Sequence, residues 1–260
     1  MNNAAVFVLL REAFAKLGPV ENELRVVDIA CGKGGALGKF VRIASEAGLR
    51  LEYIGADADE SSVAHARERS AKMSDEARFE WVVHDCFNAR AVGAIRTAGR
   101  FNGAKFVSCM FALHYAARDE QTMGQFLDNV AQLCAPGAVF VFTTTNAPLT
   151  LEFMRDISDA DGVDPDVDIH TEQESETEFG FRIHFRLGSE DQKRLDFSEW
   201  LVHRPKVTGM LENRGFKLLS WCPLTDHLKR SATPPRVPEA TLDRDWAICS
   251  LYDAAMFLKM

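Results

Sequence analysis

Three features of the sequence predict an α/β fold with a mostly parallel sheet and helices on both faces. Strand-like and helix-like periodicities alternate through the first half of the chain,. The first strand runs straight into a glycine-rich turn, Asp28-Ile29-Ala30-Cys31-Gly32-Lys33-Gly34-Gly35, as nucleotide-binding sheets do. The chain order ends in two strands around one helix, which suits a sheet whose last strand is antiparallel and disfavours nicotinamide binding.

In order, Phe7 to Leu17 carries apolar residues at helical spacing and stops near Gly18-Pro19,. Arg25 to Ile29 is a short β-branched strand, and beyond the glycine turn Leu37 to Ala47 resumes helical spacing. Leu51 to Ala56 reads as the second strand, Ser61 to Met73 as a helix and Phe79 to Val83 as the third strand. Phe106 to Met110 makes a fourth strand, Met123 to Cys134 a helix closed by Pro136-Gly137, and Val139 to Thr143 a fifth strand. Further on, Phe181 to Leu187 reads as a strand, Lys206 to Asn213 as a helix ended by Gly215, and Phe216 to Trp221 as a strand. Ala247 to Leu258 is a long final strand.

A chain of 260 residues, 47% hydrophobic, can bury the core of one domain over residues 1–260 with an inserted lobe. The insertion, at about 154–180, is crowded with carboxylates from Asp156 to Glu178 and reads as a solvated, mobile segment,. A polar lid-like loop is expected at about 224–244, where Pro234-Pro235 and Pro238 stand,. No apolar run reaches bilayer length and no signal-peptide pattern opens the chain, so a soluble intracellular protein without a membrane partner is expected. The six cysteines lie far apart with no Cys-x-x-Cys pair, which points to neither a disulfide framework nor a metal site. A net charge of −8 argues against a broad surface that grips DNA or long RNA by its phosphates, while leaving room for a small anionic target in a local basic pocket.

The glycine turn places backbone N–H groups and a helix amino end where a nucleotide-like ligand can approach closely; a tight turn without a ligand is the plain alternative. Asp57, after the second strand, can accept both ribose hydroxyls. Asp85, after the third, or a neighbouring backbone group can meet an adenine edge, although either aspartate is also an ordinary helix cap. Val107-Ser108-Cys109-Met110-Phe111-Ala112-Leu113-His114-Tyr115 is an apolar run that breaks into two ring side chains, as a strand delivering them to a pocket at its carboxyl end. His114 alone would be a core histidine; Tyr115 beside it favours the pocket. Lys33, Lys39 and Arg69 suit a polyphosphate beside the turn or, more plainly, solvated helix faces. Glu199 can cap the helix that follows it, and Tyr252 can be a core aromatic.

Several separated motifs add a stronger signal: Asn2-Asn3, Cys31-Gly32-Lys33-Gly34-Gly35, Phe111-Ala112-Leu113-His114-Tyr115, Pro136-Gly137 before a strand ending Thr143-Thr144, Glu199-Trp200-Leu201-Val202, and Leu251-Tyr252 leading to Phe257-Leu258-Lys259. In order and spacing, over nearly the whole chain, they resemble the mRNA cap (guanine-N7) methyltransferases. The resemblance implies a class I S-adenosylmethionine-dependent methyltransferase fold, a mostly parallel seven-stranded sheet with an antiparallel last strand. It implies that Asp28, Ala30, Gly32, Asp57, Asp85, Met110 and Tyr115 hold S-adenosylmethionine, left as S-adenosylhomocysteine. It implies that Asn2, Asn3, Lys33, Lys39, Arg69, His114, Glu199 and Tyr252 hold the cap, so that the partner is the capped 5′ end of an RNA. Because the chain begins almost on the asparagine pair, a guanylyltransferase domain or subunit is a further expected partner. The implied location is the nucleus for a cellular protein, the cytoplasm or virion for a viral one.

The chain departs from the family at Val6 (a lysine elsewhere), Met110 (glutamine), Ala30 (glycine) and Thr145 (proline). Val6 removes a charged contact to the cofactor carboxylate, for which Lys105 and Arg11 are the candidate replacements. Guanine N7 has a lone pair and no proton, so the implied reaction needs neither a general base nor a covalent intermediate, and the site residues bind and position. A carboxylate such as Glu199 can accept from both guanine N1–H and N2–H. The competing readings are a methyltransferase of the same fold on a small metabolite or another RNA position, and a non-catalytic scaffold.

Overall fold

The structure is a computed structural model that describes residues 2–20, 22–73, 77–159, 167–171, 173, 178–187, 195–230 and 249–260. Helix α1 (Asn2–Phe14) precedes β1 (Glu23–Ile29), α2 (Leu37–Glu46), β2 (Arg50–Asp57), α3 (Glu60–Ser70) and β3 (Ala77–Val83). Then come α4 (Ala91–Gly99), β4 (Ala104–Cys109), a 3-10 segment (Leu113–Arg118), α5 (Glu120–Leu133), β5 (Cys134–Thr145) and α6 (Ala147–Asp159). Strands β6 (Val167–His170), β7 (Arg182–Leu187) and β8 (Leu195–Trp200) follow, then α7 (Arg204–Glu212), β9 (Phe216–Pro223), α8 (Leu224–Arg230) and β10 (Tyr252–Lys259). Among the described residues no helix is long and apolar enough to cross a membrane.

Seven strands form one sheet in the order β3-β2-β1-β4-β5-β10-β9. The β1–β2, β1–β4, β2–β3 and β4–β5 pairs are parallel, and β10 runs antiparallel to both β5 and β9. The sheet and its antiparallel last strand are as the sequence predicts. Strand order reverses between β1 and β4, so their carboxyl ends diverge and leave a crevice, the usual ligand site of such sheets. One face of the sheet packs on α4, α5 and α7 through residues such as Ile95, Phe126, Val130 and Leu211. The other packs on α1, α2 and α8 through Leu9, Leu10, Leu37, Phe40, Leu224 and Leu228. Being buried on both faces, the central strands carry near-continuous apolar runs.

The second sheet, β6-β7-β8, is three-stranded and antiparallel. It corrects part of the sequence reading: the acidic segment contributes the end of α6 and strand β6, whose Ile169 is buried, so it is not simply solvated loop. Residues 160–166, 172 and 174–177 lie outside the described residues. The lid-like loop at 224–244 begins as helix α8, its Leu224 and Leu228 packed on the core; residues 231–248, with Pro234, Pro235 and Pro238, lie outside the described residues. The final strand starts at Tyr252 rather than Ala247. Helix α1 starts at Asn2 rather than Phe7, because Ala5, Val6, Leu9, Leu10 and Ala13 already form one buried helical stripe. Helix α5 ends at Leu133, and Pro136-Gly137 lies within β5.

Candidate functional site: a cofactor cradle beside a closed aromatic cluster

The turn between β1 and α2 is held open by backbone conformation. Ala30, Gly32 and Gly34 all have left-handed φ, at 53°, 51° and 69°, a region costly for residues with a Cβ. At Gly34 a Cβ would sit 3.3 Å from the Cβ of Ala66 on α3, so any side chain there would press the turn and α3 apart by a few tenths of an ångström. Two bonds fasten the turn to β2: Cys31 N–H donates to the Ala56 carbonyl at 3.1 Å, and Gly32 N–H to Asp57 Oδ2 at 2.7 Å. Asp57 Oδ1 accepts from Asp59 N–H at 2.9 Å. Each oxygen keeps an unused lone pair, because a carboxylate offers about four acceptor positions. Asp85 is exposed and accepts from Phe87 N–H at 2.9 Å.

These residues open onto a cavity of about 630 Å³ lined by the turn (Ala30, Gly32, Lys33), by Asp57, Arg69 and Asp85 at the following strand ends, and by Met110 and Tyr115 beyond β4. Cys31, Ser62, Phe87 and Phe111 also line it. Lys33 and Arg69 are exposed at the rim, with Arg69 donating to the Gly34 carbonyl at 3.0 Å.

A second cavity of about 140 Å³ shares Ala30, Met110 and Phe111 with the first and adds Asn3, Val6, Asp28 and Lys39. Asp28 is buried beneath it and accepts from Tyr53 Oη at 2.5 Å and Ser108 Oγ at 2.6 Å. Burial, only partly offset by those bonds, pushes its carboxyl up to about 6. Asp28 therefore ties β1 to β2 and β4 beneath the cradle. Lys39 Nζ donates to Asn3 Oδ1 at 3.0 Å and to the Gly35 carbonyl at 2.6 Å. Neither expected replacement for the missing lysine reaches this place. Lys105 bonds the Pro136 carbonyl at 2.8 Å, near the amino end of β4, and Arg11 pairs with Glu46. The cation that shares a cavity with Val6 is Lys39. Asn2 opens α1, and its side chain lies outside the described residues.

Beyond Tyr115 the remaining predicted residues form a cluster that lines neither cavity. The chain turns sharply at Phe111, which has a left-handed φ of 55° and donates its N–H to Thr143 Oγ1 at 2.7 Å; an aromatic residue held so is strained backbone of the sort found at binding sites. The 3-10 segment that follows buries His114 and leaves Tyr115 39% exposed, with ring centroids 4.5 Å apart. Glu199, on β8, is 5% exposed. Its Oε1 accepts from Tyr252 Oη at 2.9 Å and lies 3.3 Å from His114 Nε2, without hydrogen-bond alignment. Glu199 Oε2 and both His114 ring nitrogens are buried without a partner. Burial raises the Glu199 carboxyl to about 7 against the Tyr252 bond and lowers His114 to about 3, so the imidazole is neutral.

Framework bonds fix the cluster. Thr145 Oγ1 donates to the Trp200 carbonyl at 3.2 Å, joining β8 to the main sheet. Asp253, next to Tyr252, accepts from Asn146 Nδ2 and Trp221 Nε1, each at 2.7 Å. Phe111 packs edge-on against Tyr252 at 5.2 Å, and Trp200 edge-on against Tyr115 at 6.3 Å. Phe111 and Trp200 belong to the site although only their neighbours in the sequence motifs carry a recognisable role; Phe87 and Ser62 have no sequence signal beyond following a strand end.

Known proteins share this chain's family and fold. The family described as mRNA (guanine-N(7))-methyltransferase domain matches residues 1–238. A Caenorhabditis elegans mRNA cap guanine-N(7) methyltransferase is 29% identical over 231 residues, 84% of this chain and 58% of its own length. An Oryza sativa mRNA cap guanine-N(7) methyltransferase 1 is 30% identical over 194 residues, 68% of this chain and 48% of its own length. The chain thus spans about half the length of these curated relatives. Among solved structures, an S-adenosylmethionine-dependent methyltransferase from Clostridium acetobutylicum superposes with TM-score 0.55 at 12% identity, covering 98% of this chain and 90% of its own. The glycopeptide N-methyltransferase MtfA in complex with S-adenosylmethionine gives 0.53 at 12%, covering 97% and 87%. The chain has the S-adenosylmethionine-dependent methyltransferase fold and belongs to the mRNA (guanine-N7)-methyltransferase family.

Proposed function

We propose that this protein transfers a methyl group from S-adenosylmethionine to N7 of the terminal guanine of the mRNA 5′ cap. The observation that carries the reading is the buried Glu199 carboxylate with one oxygen unpartnered, beside Tyr115 at the edge of the cofactor-sized cavity. A buried unpaired acceptor is costly, and a guanine edge offers the N–H donors that would satisfy it.

The larger cavity fits the cofactor. Its left-handed Ala30 and Gly32 turn exposes backbone, Asp57 has lone pairs for both ribose hydroxyls, and Asp85 with the backbone at Phe87 lies where an adenine edge would rest. Lys39 is the cation for the amino-acid tail's carboxylate in place of the lysine absent at Val6, while Met110 and Tyr115 close the end toward the acceptor. When bound, the cofactor supplies an electrophilic methyl group.

The protein's own residues bind and orient. Glu199 accepts N1–H and N2–H of guanine, a bidentate contact worth about 1–3 kcal/mol of base discrimination. Tyr252 holds Glu199 and, with His114 and Tyr115, flanks the base. Lys33 and Arg69 at the rim of the larger cavity, with Asn3 beside Lys39, serve the phosphates. Holding N7 in line with the methyl carbon supplies roughly 7–11 kcal/mol. As the base becomes cationic, the Glu199 charge and the tyrosine faces stabilise it more than the neutral base, which favours the transition state. A nematode and a rice relative favour the cellular, nuclear alternative, with a guanylyltransferase domain or subunit supplying GpppN ends.

The test is labelled methyl transfer to GpppG, resolved by thin-layer chromatography. Glu199→Ala should lose most transfer while retaining S-adenosylmethionine affinity. Wild-type transfer by that variant, or inactivity of the unaltered protein on GpppG, overturns the reading.

A further inference from the structure

Away from the two cavities, three elements bring a thiol, an imidazole and a carboxylate into line. Cys222 Sγ, near the end of edge strand β9, lies 3.5 Å from His227 Nε2 on α8. The other ring nitrogen, His227 Nδ1, lies 2.7 Å from Glu12 Oε2 on α1. Arg230 Nη2, one turn further along α8, donates to the same sulfur at 3.4 Å, and Ser220 Oγ lies 3.9 Å from it. We propose that Cys222 is a thiolate that reacts with hydroperoxides, a covalent modification site separate from the methyl-transfer site.

Each partner has a role. With Glu12 at Nδ1, the imidazole presents Nε2–H to the sulfur and is stabilised as imidazolium. Arg230 adds a second positive donor, and thiols beside cations ionise readily. Burial raises the Cys222 thiol, but the His227 bond and charge, with Ser220 and Arg230, leave it below the ordinary value. Burial likewise lowers His227, but Cys222 and Glu12 leave it raised. Of the six cysteines, Cys222 is the one that is not buried. Cys31, Cys86, Cys109 and Cys134 are pushed the opposite way, upward, chiefly by burial. Neither cavity described above reaches Cys222, so the geometry suits a small electrophile rather than a peptide or ester.

The step balances as follows. The thiolate attacks one oxygen of hydrogen peroxide; the S–O bond forms as the O–O bond breaks. Sulfur is oxidised by two electrons to a sulfenic acid, and the peroxide is reduced. The departing hydroxide takes the Nε2 proton of the His227 imidazolium and leaves as water, so the imidazole ends neutral.

The test uses the intact chain. With limiting iodoacetamide at pH 7, mass spectrometry should find Cys222 labelled first, on the order of tenfold faster than a free thiol, which is only a few per cent ionised there. In Glu12→Gln the rate should fall severalfold and its pH midpoint should move up toward that of an ordinary thiol; His227→Gln should do the same more strongly. Equimolar hydrogen peroxide with dimedone should place the sulfenic-acid adduct on Cys222, and Cys222→Ser should abolish it. The proposal is overturned if Cys222 alkylates no faster than a free thiol, if Glu12→Gln leaves its rate and midpoint unchanged while circular dichroism shows it folded, or if fast alkylation is accompanied by no dimedone adduct.

Discussion

The two halves of the site differ in readiness. The cofactor cradle is open and its polar groups are already bonded: Asp57 is anchored by Gly32 and Asp59 N–H groups and faces about 630 Å³ of space. The Glu199 cluster is closed, with a carboxylate oxygen and two imidazole nitrogens buried and unpaired. A preformed cradle accepts ligand with little reorganisation, whereas the cluster must part its aromatic rings for a base to reach Glu199. The difference teaches that stability and recognition pull in opposite directions at the cluster: on the proposed reading, the Glu199 oxygen that the protein leaves unpaired is the one a guanine N–H would satisfy,.

Four substitutions test the contrast, beginning with the largest effect. Asp57→Ala removes both the ribose acceptor and the Gly32 anchor, so calorimetry should show S-adenosylmethionine affinity lowered about 10²–10⁴-fold, from two charged hydrogen bonds at about 1.5–3 kcal/mol each. Unchanged affinity would remove Asp57 from the cradle. Next, Glu199→Gln probes the cost of the buried charge. The Glu199 carboxyl titrates at about 7 when folded against 4.5 ordinarily. Because the folded value is the higher, its contribution to stability is intact below pH 4.5 and is lost as pH rises through 7. Glu199→Gln should therefore gain on wild type between pH 5 and 8, by about 3 kcal/mol at the upper end. Parallel stability curves would show that the carboxylate is solvated after all.

His114→Phe keeps the ring but deletes two unpaired buried nitrogens. The protein should gain about 1–2 kcal/mol of stability, while transfer to the cap falls severalfold; a loss of stability in thermal unfolding would mean that those nitrogens are bonded in solution. Smallest is Ala30→Gly, which relieves a left-handed alanine. Allowing for glycine's greater freedom when unfolded, denaturant titration should show a gain of about 0.5–1 kcal/mol. A loss would mean that Ala30 is not held at positive φ.

The cradle was more legible in the sequence than the cluster because it is local. A strand, a glycine turn and aspartates at successive strand ends are close in sequence to what they contact, and spacing alone brings Asp28, Asp57 and Asp85 to one edge. Glu199 and Tyr252 meet His114 from distant strands, and only a whole-chain resemblance joined them. Helix α4 escaped because its buried face, Ala91, Val92, Ile95 and Gly99, is short and half built from small residues. At Gly99 a Cβ would come within 2.7 Å of Phe101, so the packing that rules out larger residues also erases the apolar signal. Helix α6 follows Asn146, whose Oδ1 caps Leu149 N–H at 2.9 Å, and then runs into acidic sequence that reads as solvated. Strand β8 is short and follows a charged stretch. The Cys222–His227–Glu12 alignment joins residues 215 positions apart, a distance no motif spans.

The most direct measurement is base discrimination at the cap. Inosine keeps N7 and N1–H but lacks the N2 amino group, so it withdraws one of the two donors offered to Glu199. The ratio of kcat/KM for guanosine over inosine caps should be about 5–100-fold in the wild-type protein, and close to one in Glu199→Ala. An equal ratio in both proteins would contradict the assignment of Glu199 as the group that reads the base.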